Sequence, residues 1–259
     1  MPSGKRSKQQ RRATPPPVRS TGGGSSLGSR RTWLIVAVVI LVLAGLGVGL
    51  DLALGSSGSS TSSSSGTLAP LSTLGKLVSP GPLGPPGPEA PPVETGPSLA
   101  PTGSPQPGQS VDGITCEVGG EQVAFHHHSR LTIFVNGRPR SVPYGVGIAD
   151  PKLQPGIGVP FVDQGACFSW LHTHAADGII HIEAPRPRTF TLGNFFDVWG
   201  QPLSSTLVGP AKGQVTALYN GQVWQGNPRN IPLREHSQIQ LEVGHPLVAP
   251  VHITDWGGL

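Results

Sequence analysis

Apolar and polar residues alternate through the second half of the chain in short runs that stop at turn dipeptides. Leu131-Thr-Ile-Phe-Val135 runs into Asn136-Gly137 and returns through Arg140-Ser-Val-Pro-Tyr144. Val215–Tyr219 runs into Asn220-Gly221 and returns through Gln222–Trp224, and Gln238–Val243 alternates cleanly up to Gly244. A period of two in β-branched and aromatic residues predicts half-buried strands, and Asn-Gly between two such runs predicts a tight hairpin. One stretch reads as a helix, Leu192 to Trp199, with Thr191 as N-cap and Gly200 as its stop. Residues 111–259 therefore predict a β-rich α+β domain of antiparallel hairpins with one short helix, large enough to bury a core alone.

The first 110 residues follow a different pattern. Trp33 to Leu50 is uncharged and almost wholly aliphatic, and a run of about that length can cross a bilayer as a helix. Residues 1–32 carry eight Lys and Arg and no acid. That asymmetry predicts a basic cytoplasmic tail (1–32), a single transmembrane helix (33–54) and everything beyond it outside the cell membrane. Ser29-Arg30-Arg31-Thr32-Trp33-Leu34 also resembles a twin-arginine export signal, with Ala53-Leu54-Gly55 as a weak cleavage site. Residues 55–110 are mostly Ser, Gly and Pro and predict a disordered linker. The net charge of +4 comes from the tail, whose eight positive charges leave −4 for the remainder. The tail suits anionic lipid, and nothing in the rest points to nucleic acid.

Chemistry concentrates in the stretch Leu171-His172-Thr-His174-Ala-Ala-Asp177-Gly178-Ile-Ile-His181-Ile-Glu183. Alternation on both sides of Asp-Gly predicts a hairpin. A two-residue turn sets His174 opposite His181 and His172 opposite Glu183; a four-residue loop sets His172 opposite His181 with His174 diagonal. Either register puts all four side chains on one face, close enough to converge on a cation. His126 and His128 share a face if 124–130 is a strand, and are candidate additional ligands. Imidazole and carboxylate together suit a divalent transition metal, Cu or Zn first, with Fe, Mn or Ni also compatible. The alternative is a solvated polar face or a hydrogen-bonded His–Glu pair.

The only two cysteines, Cys116 and Cys167, predict a disulfide in an exported domain. Cys167 stands out of register with His172 and His174, so its sulfur should leave the opposite face. No nucleophile elbow, phosphate loop, dinucleotide fingerprint or HExxH motif is present. Phe125-His126-His127-His128, Trp170-Leu-His-Thr-His174, Ile180-His-Ile-Glu183 and Thr189-Phe-Thr-Leu-Gly-Asn-Phe-Phe-Asp-Val-Trp-Gly200 resemble a family of uncharacterised exported or membrane-anchored bacterial proteins. Its first motif runs His-x-His-x-His-Leu, so Arg130 stands where the family has its third histidine.

These features predict a single-pass membrane protein that presents a metal-binding domain outside the cell. Two alternatives stand beside it. One is a metal-dependent enzyme with an open coordination position and Glu183 as base. The other is an adhesion or assembly module whose histidines only decorate a sheet.

Overall fold

The computed structural model describes residues 66–156 and 158–259. Its centre is an eight-stranded sheet. In chain order the strands are β1 (Thr67–Ala69), β2 (Phe125–Val135), β3 (Arg138–Arg140), β4 (Leu171–His172), β5 (Ile179–Ala184), β6 (Val215–Tyr219), β7 (Gln222–Gln225) and β8 (Ser237–Val243). Across the sheet the order is β1-β7-β6-β8-β2-β5-β4, with β3 pairing β2 beyond the end of β5. The β-rich expectation holds, but the hairpin-only arrangement does not: β2 and β8, at the centre, pair in parallel. Alternation reveals strands but carries no direction, so this long-range pairing was hidden.

Both Asn-Gly dipeptides form turns, with positive φ at Asn136, Gly137, Asn220 and Gly221, as the mirror-image hairpin turn requires. The return from the first is Arg138–Arg140 rather than 140–144, because pairing starts directly after the turn. The helix, α1, spans Leu192–Trp199 as expected. The Thr191 side chain accepts from the Asn194 backbone, the Asn194 side chain accepts from the Thr191 backbone, and Gly200 closes the helix in the left-handed region.

The sheet has two unlike faces. Leu131, Ile133, Ile180, Ile182 and Leu241 project to one side and pack with Phe195, Phe196 and Trp199 of α1 in the main core. Each such side chain fully removed from water contributes about 1.5–3 kcal/mol. The other side carries His126, His128, Arg130 and Thr132 from β2, His172 from β4, His181 and Glu183 from β5, and Gln240 and Glu242 from β8.

That polar face is covered, chiefly by a segment expected to be disordered. Residues 66–110 are folded onto the domain, which corrects the linker reading over that range. Thr67–Ala69 adds a strand to β7, Val78 bridges Val248, and Ser98 bridges Ser141. Backbone hydrogen bonds run from Glu94 N to Ala176 O and from Leu99 N to Ser141 O. Pro80–Gly84 and Val93 lie over Arg130, Thr132 and Phe134. The segment has little apolar surface, but its prolines restrict the unfolded chain and lower the entropy lost on docking. Residues 247–253 complete the cover, with Val251 N and Ile253 N donating to the Gln240 and Gln238 side chains. Among the described residues no helix is long and apolar enough to cross a membrane. The span expected over 33–54, and the basic tail before it, lie outside them.

Candidate metal centre

The hairpin β4–β5 adopts the second of the two registers, with His172 opposite His181. Asp177 Oδ1 accepts from Ile179 N at 3.0 Å and shapes the turn. Gly178, at φ 81°, passes so close to β2 that a Cβ there would lie 2.3 Å from the Leu131 carbonyl oxygen. The next strand over is β2, where His128 faces His181 and His126 faces Glu183. Five of the six candidate ligands therefore share the polar face by register, and His174, just past the end of β4, joins them through its ring.

His172, His174, His181 and Glu183 each offer a ligand atom within 4.8 Å of the others, and all four are buried. This cluster can hold a metal ion. His172 Nδ1 donates to the Ser169 carbonyl at 2.9 Å, and His174 Nδ1 donates to the Val162 carbonyl. Each ring is thereby fixed with its Nε2 free, and the two Nε2 atoms face each other at 3.1 Å. Burial, and the proximity of other imidazoles, push His172 well below its ordinary value and also lower His174. Both rings are neutral near pH 7, so two lone pairs meet head on. Ligand nitrogens of a tetrahedral Zn²⁺, at about 2.0–2.1 Å from the metal, stand roughly 3.3 Å apart. Hydrogen bonds from the far ring nitrogen to a carbonyl are the usual means of aiming a metal-binding imidazole.

Acids surround the pair. His181 Nε2 lies 3.2 Å from Glu89 Oε1, and its Nδ1 lies 3.6 Å from Glu183 Oε1. Burial disfavours the His181 imidazolium, but the flanking Glu183 and Glu89 side chains outweigh it and push the group up to about 9. Burial alone would raise Glu89, yet His181 and His174 hold it below the ordinary carboxylate range. Glu121 Oε1 sits 3.4 Å from His174 Nε2 and 3.9 Å from His172 Nε2. Burial and the nearby Glu183 raise Glu121. Glu89, Glu121 and Glu183 thus place three carboxyl groups around the histidines.

A second group joins the same face: His126, His128 and His181 also offer ligand atoms within 4.8 Å of one another. His126 Nε2 lies 3.1 Å from Glu183 Oε1. Desolvation and neighbouring imidazoles lower His128 to about 3. Arg130 belongs to neither group. Its Nε donates to the Asp177 carbonyl at 3.1 Å, and its guanidinium lies 4.0 Å from Glu94.

Cys116 and Cys167 form the expected disulfide, outside the histidine cluster. It ties the strand Ile114–Glu117 to the strand Cys167–Ser169, whose last carbonyl aims His172. Pairing residue 116 with 167 also carries Glu121 toward His172, a signal that would have found it. Glu89 had a fainter signal: it and Glu94 are the only acids between residues 55 and 110.

Comparison with protein-family models, with curated proteins and with solved structures finds no match to this chain. The functional reading rests on the geometry of this centre.

Proposed function

We propose that this protein binds a divalent transition metal at His172, His174, His181 and Glu183, with Zn or Cu as the first choices. The carrying observation is the pair of Nε2 atoms 3.1 Å apart, each in a ring whose Nδ1 is committed to a backbone carbonyl. Only a proton or a cation between them relieves that contact, and three surrounding carboxyl groups supply the balancing charge. Fe, Mn and Ni suit the same donors. The Cys116–Cys167 bridge supports an oxidising, extracytoplasmic setting for the domain. The test is the metal content of the purified full-length protein after reconstitution and desalting. The wild type should retain metal and the His172→Ala/His174→Ala variant should lose it; equal retention, or none in either, overturns the reading.

A second reading is a metal-dependent enzyme. Glu121 favours it, since its side chain is 33% exposed while its carboxylate reaches both His172 and His174. That position suits a general base acting on a metal-bound water better than Glu183, which is 3% exposed. Glu121→Gln would then abolish turnover of a substrate while sparing metal affinity.

A further inference from the structure

The polar face holds candidate ligands beyond the four assigned to the first position. His172 pairs with His181, and His181 with His128, so the three form one row across β4, β5 and β2. Adjacent strands stand about 4.8 Å apart, which separates the backbones of His172 and His128 by roughly 10 Å with His181 between them. Grouped by ligand atoms that lie within 4.8 Å of one another, the donors form two sets that share His181: His172, His174, His181 and Glu183, and His126, His128 and His181.

The second group and the neighbouring Glu183 contain a set of unanswered atoms. His128 Nε2, His181 Nδ1 and Glu183 Oε2 are buried and have no hydrogen-bond partner. Their residues are 4%, 3% and 3% exposed. Leaving such atoms unsatisfied costs about 1–3 kcal/mol each, so a fold that gathers three of them invites an occupant. His126 stands at the rim, its side chain 42% exposed and its Nε2 3.1 Å from Glu183 Oε1, which leaves an entry from solvent.

We propose a second cation position on this face, held by His126, His128 and His181 Nδ1, with Glu183 between the two positions. It rests on the proposed function, with His181 serving the first position through Nε2. The centre then takes two divalent transition-metal ions bridged by the His181 ring. Each metal–nitrogen bond needs a bare ring nitrogen, so His181 would bridge as the imidazolate, its ring protons passing to solvent.

The experiment is zinc stoichiometry of the full-length protein, reconstituted, desalted and measured by elemental analysis. Two equivalents are expected in the wild type and one in His126→Ala/His128→Ala. One equivalent in both overturns the second position and leaves the first standing; none in either overturns both. Two equivalents in both overturns the assignment to His126 and His128. Because His128 is buried, His126→Gln at the rim provides a variant whose fold is not at issue, checked by circular dichroism. It should lose or weaken only the second equivalent; unchanged binding of both counts against the proposal. With copper, the doubly loaded wild type should give an EPR signal weaker or broader than two isolated ions, and two independent spectra would remove the bridge.

Discussion

The two faces of the central sheet use the same strands for opposite purposes. On one, Leu131, Ile133, Ile180, Ile182 and Leu241 meet α1 and remove apolar surface from water. On the other, residues one position along the same strands place histidines and acids under a cover of Pro-rich chain. Burial is nearly as complete on the second face, but it costs desolvation rather than gaining hydrophobic free energy. Burial and charge raise Glu94 to about 8, Glu242 to about 7 and Asp177 to about 6, and lower His128 to about 3. One face carries stability, and the other holds groups in states they would not choose in water. Concentrated strain of the second kind is what a binding centre requires.

Substitutions should separate the faces. Leu241→Ala, on the apolar face, should destabilise the protein by about 2–5 kcal/mol in denaturant unfolding. A loss below 1 kcal/mol would mean that the core does not lie there. Cys167→Ser should cost about 2–4 kcal/mol. It should also weaken metal retention, since the bridged strand aims His172 through the Ser169 carbonyl; retention equal to wild type would separate the bridge from the centre.

The polar face should report itself through pH. Glu94 is raised by burial, only partly offset by Arg130, so above its ordinary value of 4.5 the unfolded state loses its proton first. The folded state then binds more protons, and this group's contribution to stability falls as pH climbs from about 4.5 to about 8. Glu94→Gln removes that dependence, so the variant should gain on the wild type between pH 5 and pH 8. A constant difference across that range would show that Glu94 is ionised throughout. The smallest effect belongs to His126→Ala: at a rim position, metal-free stability should change by no more than about 0.5 kcal/mol. A larger loss would place His126 in the fold rather than in the centre.

Much of the apolar face was legible because its signals are local. Thr191, Asn194 and Gly200 bracket α1 within ten residues, and the two Asn-Gly turns fix their hairpins. The histidine hairpin was legible to within two registers. The cover over the polar face was not legible. Residues 66–110 have no hydrophobic period, and they hold their place through backbone hydrogen bonds to chain far away, such as Val78 N to Leu247 O. Glu89 and Glu121 left only the indirect signals noted above. Each reaches the centre from an irregular Gly- or Pro-containing stretch, where spacing says nothing about direction.

The parallel pairing of β2 with β8 sets the order in which the molecule can be completed. Ser129 and Ser237, which bond to each other across that pair, are 108 residues apart in sequence. During synthesis the histidine hairpin and β2 emerge early, but their neighbour at the middle of the sheet is absent until Val243 has been made. Until then the edge of β2 is open, and joining the strands means closing a loop of more than a hundred residues. High contact order of this kind slows folding. In refolding experiments the histidine hairpin should gain hydrogen-exchange protection before β8 does.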